Sequence, residues 1–199
     1  MGFLGPTLFG KTLGIVGAGR IGSTVARVAH NGFGMKVIYT DVKRNAAFER
    51  ATNARYLPLH RLLAAADVVS LHVPLLPSTR HLISGPQLRR MKRTTLLINT
   101  SRGPVVDERA LVHALKHRRI GGAGLDVFEC EPSIDCDPHG GVSLADFDTV
   151  VLTPHIASAT IEARNAMAII AARGVLDTLH NRRTATLVNP AVWSHRRKG

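Results

Sequence analysis

The chain has 199 residues, 45% of them apolar, enough to close one sizeable core and too few for two full domains. Its 26 Lys and Arg outnumber 14 Asp and Glu, and residues 1–100 alone hold 14 basic and 3 acidic side chains, which points to an anionic partner. The charges are dispersed over segments that read as helices, the densest run being Arg89, Arg90, Lys92 and Arg93, and aromatic residues make up only 5%, so the expectation is a small anion and no nucleic acid.

Short apolar runs without polar alternation recur along the chain, at Leu13 to Gly17, Lys36 to Thr40, Asp67 to Val73, Thr95 to Asn99, Gly122 to Val127 and Thr149 to Leu152. Such runs are expected of parallel strands covered on both faces. Between them lie helices predicted over Arg20 to Asn31, Arg44 to Arg50, Leu59 to Ala66, Gly85 to Met91 and Asp107 to His117, with a long one near Thr160 to His180. Strand and helix alternate, with a short extra edge strand at Ala54 to Leu57, so the expected fold is α/β: a doubly wound parallel sheet of the Rossmann type. The longest loop-like stretch is Glu129 to Asp146, and there is no internal repeat.

No stretch approaches the ~20 apolar residues of a membrane span, and the N-terminus lacks the charged, apolar, small-residue order of a signal peptide. Cys130 and Cys136 are the two cysteines, and the simplest expectation is a reduced cytoplasmic protein without a membrane partner. Cys130, Cys136 and His139 lack a C-x2-C pair, so no metal site is expected.

The first chemical motif is Gly17-Ala18-Gly19-Arg20-Ile21-Gly22, which follows the first strand and opens the first helix. Gly17 permits a tight turn, Gly19 lets the backbone approach a pyrophosphate, and Gly22 lets helix and strand pack closely, while the helix start supplies amide donors and a positive dipole. Glycines alone would be turn chemistry. Asp41, 19 positions after Gly22 at the end of the second strand, strengthens the dinucleotide reading because a carboxylate there can accept from an adenosine ribose. Its alternative is a helix N-cap. Asp41 argues for NAD because it would repel the 2'-phosphate of NADP, although Lys43 and Arg44 follow at once, which keeps NADP open.

Four further segments stand at predicted strand ends: Leu71-His72-Val73-Pro74, Leu97-Ile98-Asn99-Thr100-Ser101-Arg102-Gly103, Gly124-Leu125-Asp126-Val127-Phe128-Glu129-Cys130-Glu131-Pro132, and Leu152-Thr153-Pro154-His155-Ile156-Ala157-Ser158-Ala159-Thr160. Together, and in this order, they resemble the signatures of the D-isomer-specific 2-hydroxyacid dehydrogenases, with the last segment most similar to the glyoxylate and hydroxypyruvate reductase branch. The resemblance implies an NAD-dependent enzyme that interconverts a small 2-oxo acid and a D-2-hydroxy acid. It implies cofactor contacts at Gly17, Gly19, Arg20, Ile21, Gly22, Asp41, Val73, Pro74, Thr79, Thr100, Ser101, Arg102, Asp126, His155, Ile156 and Ala157. It assigns catalysis to Arg102, Glu131 and His155.

These residue types suit the reaction. Reducing a 2-oxo acid needs a cation for the carboxylate and carbonyl and an acid for the new alkoxide. Arginine's planar fork binds a carboxylate through two hydrogen bonds, and histidine exchanges a proton near neutral pH. Glu131 would orient the ring. Taken singly, Arg102 reads as a helix cap or ion pair, His155 as a structural histidine beside Pro154, and Glu131 as a solvated loop carboxylate. His72 is expected to matter more through its backbone than its ring. The family's plan has two domains, so the expectation is a dinucleotide-binding domain over 1–185, with 1–12 as a linker-like lead-in, and a substrate domain largely absent save a returning remnant at 186–199. A homodimer is expected because the family's subunit contacts lie largely on this domain. The alternative is an NAD-binding, dimerising fragment without turnover.

Overall fold

A computed structural model describes residues 5–131 and 142–195. Seven strands, β1 (Thr12–Val16), β2 (Lys36–Thr40), β3 (Arg55–Tyr56), β4 (Val68–Leu71), β5 (Leu96–Asn99), β6 (Gly122–Leu125) and β7 (Val150–Leu152), form one sheet in the order β3-β2-β1-β4-β5-β6-β7. Every neighbouring pair is parallel. The order reverses at β1 and β4, whose carboxyl ends therefore flank a crevice of the kind that takes ligands in open α/β sheets. The helices are α1 (Arg20–Phe33), α2 (Ala46–Thr52), α3 (Leu59–Ala65), α4 (Gly85–Leu88), α5 (Glu108–Lys116), α6 (Ile161–Leu179) and the short α7 (Val192–His195).

α2, α5 and α6 start where side chains satisfy their orphan amides. Asn45 accepts from Phe48 N at 3.0 Å, Asp107 from Ala110 N at 2.9 Å, and Thr160 from Ala163 N at 3.1 Å. The Asn45 cap moves α2 two residues on from the predicted Arg44 to Arg50. The predicted strand over Asp67 to Val73 contracts to Val68–Leu71 because its neighbour β1 ends at Val16, whose carbonyl takes His72 N as a last rung. Asp67 instead anchors the start of the sheet: its carboxylate accepts from Thr12 N and from Lys92 Nζ, both at 2.8 Å. Burial acts to raise the Asp67 carboxyl, but these two donors outweigh it and hold the group below the usual range.

The core lies in two clusters. Leu62 and Leu63 of α3, Leu111 and Leu115 of α5 and the strand residues Val69, Leu71, Leu97 and Leu125 form the larger. Ala26 and Ala29 of α1 with Leu13, Ile15, Val37, Tyr39 and Phe48 form the other. Tyr39 is fully buried, and its hydroxyl donates to Glu49 Oε1 at 2.7 Å while accepting from Asn45 N at 2.8 Å, which satisfies the polar tip of a core aromatic.

Residues up to His155 form one compact unit and those from Ile156 onward another. The first holds the whole sheet and α1 to α5. The second holds α6 and α7, and no residue of α6 is buried. Among the described residues, no helix is long and apolar enough to cross a membrane.

Candidate active site at the carboxyl ends of the strands

The turn from β1 into α1 has the shape its glycines allow. Gly17 lies at φ +95° and donates to Thr40 O at 2.9 Å, and a side chain there would meet His72 O at 2.8 Å. One on Gly22 would strike Gly17 O, so the helix sits as close to the turn as backbone permits. A Cβ on Gly19, by contrast, would meet nothing within 4 Å. No side chain caps α1 and no acidic residue occupies its first turn, so its first amides and the positive end of its dipole are available to an anion. Arg20 and Ile21 are exposed on that turn.

Asp41 stands beside this turn. Its Oδ2 accepts from Ala18 N at 2.8 Å and its Oδ1 from Val42 N at 2.7 Å, which fixes the carboxylate and leaves lone pairs for a ribose. The N-cap of α2 is Asn45, so Asp41 does not serve as that cap. Arg44 is bound to Glu49, Nε to Oε1 at 3.0 Å and Nη2 to Oε2 at 2.8 Å. The Arg44 hydrogen bond, helped by the Tyr39 hydroxyl, holds the Glu49 carboxyl low.

On the far side of the crevice, β4 is followed by His72 and Val73. The His72 backbone sets the room at Gly17, and its ring is also engaged, Nε2 lying 2.9 Å from Ser70 Oγ. Burial pushes this imidazole down to about 4, so it is neutral at pH 7. Val73 approaches Gly17 from the side. Thr79 closes the following loop: its hydroxyl donates to Pro74 O at 2.6 Å and accepts from Leu76 N at 2.8 Å.

At the end of β5, Asn99 shapes the Thr100-Ser101-Arg102 turn. Asn99 Oδ1 accepts from Ser101 N at 3.0 Å and from Ser101 Oγ at 2.8 Å, and Nδ2 donates to Arg102 O at 3.0 Å. Arg102 is exposed, with Nη1 donating to Ser101 O at 2.6 Å. Among the described residues no carboxylate pairs with its guanidinium, so most of its fork is available to an anionic ligand.

The ends of β6 and β7 meet. Asp126 is buried, accepts from Thr153 Oγ1 at 2.5 Å, and takes His155 N on its carbonyl at 2.9 Å. His155 lies at φ +54°, a left-handed backbone that costs energy for a non-glycine residue and persists only where the surroundings impose it. Its ring is half exposed, and Nδ1 lies 2.6 Å from Glu131 Oε2. Since a carboxylate only accepts, Nδ1 carries the hydrogen, and Nε2 is the nitrogen left to exchange a proton. Glu131 is held in turn by Phe128 N, which donates to Oε1 at 3.1 Å.

Glu131 and His155 are thus brought into contact, as are Asp41 and the glycine turn, and Val73 and Gly17. Thr100 is exposed at the β5 turn, while Ile156 and Ala157 belong to the second unit. Sequence reasoning missed Asn99 and Thr153 as positioning residues; the signal was a polar side chain at the end of an otherwise apolar strand or just beyond it. Cys130 is disulfide-bonded, a correction to the expected reduced thiols, since the presence of two cysteines does not fix their oxidation state. Cys136 and His139 lie outside the described residues, and among the described residues no group of three His, Cys, Asp or Glu is placed to hold a metal ion.

A parallel sheet reversing at β1 and β4, a glycine turn under an uncapped helix start and a carboxylate on the second strand define a dinucleotide-binding domain. The chain belongs to the family described as D-isomer specific 2-hydroxyacid dehydrogenase, NAD binding domain, which matches residues 1–157. It is 49% identical over 199 residues to a glyoxylate reductase of Korarchaeum cryptofilum, covering 100% of this chain and 58% of that protein. It is 46% identical over 197 residues to the glyoxylate reductase of Pyrococcus furiosus, covering 99% and 56%. Among solved structures it resembles a glyoxylate reductase from Paecilomyes thermophila (TM-score 0.84, 37% identity, 95% of this chain and 55% of that one). It also resembles D-lactate dehydrogenase with NAD+ from Lactobacillus jensenii (TM-score 0.83, 33% identity, 93% and 57%). The chain therefore spans a little over half the length of these relatives.

Proposed function

We propose that this chain is the cofactor-binding and proton-transferring part of an NAD-dependent reductase that converts a small 2-oxo acid of the glyoxylate or hydroxypyruvate type to its 2-hydroxy acid. The observation that carries the proposal is the Glu131–His155 pair, at 2.6 Å, at the carboxyl end of the same sheet whose glycine turn and Asp41 fit a dinucleotide. The first turn of α1 would hold the pyrophosphate and Asp41 the ribose. NADH, when bound, supplies the hydride.

The protein's own groups then have distinct work. Arg102 binds the substrate carboxylate and polarises the 2-oxo group with its fork. His155 Nε2 donates the proton that the new alkoxide needs, and Glu131 keeps the ring oriented and stabilises its cationic form before that transfer. NAD is preferred to NADP because Asp41 is anionic and Arg44, one of the two neighbouring cations that could neutralise a 2'-phosphate, is committed to Glu49.

A second reading, NAD(H) binding without turnover, is favoured by the exposure of the pair, 50% for the His155 side chain and 32% for that of Glu131, since water exclusion strengthens such a site. Loss of NADH absorbance with glyoxylate and with hydroxypyruvate separates the readings. Turnover is expected, falling about 10²- to 10⁴-fold in His155→Ala. Unchanged turnover in that variant would refute the proton-donor role, and NADH binding with no turnover in the parent would establish the second reading.

A further inference from the structure

The proposed chemistry requires Arg102, on the loop after β5, and the Glu131–His155 pair, on the loops after β6 and β7, to hold one fixed separation. Loops are the mobile parts of a fold, so something must register one against the other. The strip Arg80-His81-Leu82-Ile83, beyond β4, is bonded to both sides.

Toward Arg102 the lacing is through backbone. His81 N donates to Pro104 O at 2.8 Å, Ile83 N to Val105 O at 3.1 Å, and Asp107 N to Ile83 O at 2.9 Å, with Ile83 and Val106 in a parallel bridge. Toward Glu131 it is through side chains. His81 Nε2 lies 2.5 Å from Glu129 Oε1, with Arg80 Nη2 3.9 Å from the same oxygen. The other oxygen, Oε2, accepts from Glu108 N at 3.3 Å, and Glu108, buried at the start of α5, accepts from Glu129 N at 2.5 Å. Each glutamate thus takes the other's backbone amide. Gly103, next to Arg102, lets the two loops touch: a Cβ there would overlap the Phe128 carbonyl.

Two buried or half-buried carboxylates side by side repel unless cations face them. Here the Arg80 guanidinium faces Glu129 Oε1, and the His81 ring hydrogen-bonds the same oxygen. His81 also sits at φ +50°, a left-handed conformation in which a residue is kept only when its surroundings repay the cost.

We infer that His81, Glu129 and Glu108 form a clamp that positions Glu131 and His155 relative to Arg102, with Glu129 as the pivot two residues from Glu131. These are positioning residues, because they act through the loop and do not touch the reacting atoms. The inference rests on the proposed function only for its chemical purpose; the clamp's effect on His155 exists with or without turnover.

The test reads the tautomer of neutral His155 from its ring nitrogen shifts in the ¹⁵N-labelled 199-residue chain. In the parent, Nδ1 carries the hydrogen; Glu131→Gln sets the signal expected when the carboxylate is lost. His81→Asn keeps a residue tolerant of left-handed backbone while removing the ring, and Glu129→Gln removes the pivot's charge. The clamp predicts that both variants shift His155 toward the Nε2–H tautomer, changing the tautomer ratio about twofold or more, while the circular dichroism of the sheet is retained. If Glu129→Gln fails to fold, His81→Asn, at a half-buried loop position, decides alone. An unchanged tautomer in every folded variant overturns the inference. Shifted tautomers in the variants of a parent that shows no turnover support the clamp while contradicting the enzyme reading, so the two fail separately. Where the parent turns over, kcat is expected to fall with the KM for NADH unchanged.

Discussion

The helices α5 and α6 illustrate two ways a chain can use apolar residues. Nine-residue α5 buries Glu108, Leu111, Val112, Ala114 and Leu115, a stripe at helical spacing that faces the sheet. Nineteen-residue α6 carries Ile161, Met167, Ile169, Ile170, Val175, Leu176 and Leu179, all at least 48% exposed, and buries none. Its apolar residues run around the axis in place of along one face, and Met167, Ile170, Val175 and Leu179 line an open groove of about 580 Å³ with Thr184 and Thr186. Helix length and propensity therefore say little about what stabilises this protein. The compact unit up to His155 carries both the core and the residues to which chemistry is assigned, with only Ile156 and Ala157 beyond it.

Substitutions that delete the same methyl groups in the two helices should separate the regions. Leu111→Ala, at a fully buried position, is expected to cost about 2–5 kcal/mol in urea denaturation through lost transfer energy and the cavity left behind. The smallest expected effect is that of Leu176→Ala, within about 0.5 kcal/mol. Comparable losses from both would show that α6 is covered in solution and erase the contrast.

Between these extremes lies an effect of pH confined to the first unit. His72 titrates near 4 in the folded protein because of burial, against about 6.5 when unfolded. Below pH 6.5 the unfolded chain takes up a proton that the folded one refuses. Stability is thus intact above pH 6.5 and is lost as pH falls toward 4, by on the order of 1–2 kcal/mol once the partial exposure of the ring is discounted. His72→Gln should flatten that part of the stability profile measured by denaturation at stepped pH. An identical slope in the variant would assign the acid sensitivity elsewhere, for instance to Asp67, whose depressed carboxyl acts only at lower pH.

The local signals were the legible ones. The strand Lys36 to Thr40 is found at those residues, and the glycine turn and Asp41 could be read because neighbours in sequence determine a turn and a strand end. Strand and helix ends shifted where a distant partner or a cap decides them, as at His72 and Asn45. The clamp around Glu129 was not legible, because His81 lies 48 positions away and Glu108 21, and only the folded sheet brings them together. Glu131 and His155, 24 positions apart, were paired in advance through family resemblance and not through spacing. For α6, periodicity located the helix but could not reveal that it buries nothing.

The claim that the first unit is a working dinucleotide site is tested most directly by calorimetric titration of NADH into the purified chain and its Asp41→Ala variant at fixed ionic strength. The account predicts one-to-one binding by the parent, weakened about tenfold or more in the variant, the loss expected when hydrogen bonds to a charged group worth about 1.5–3 kcal/mol are removed. Equal affinity in both proteins, or no binding by a folded parent, would contradict it.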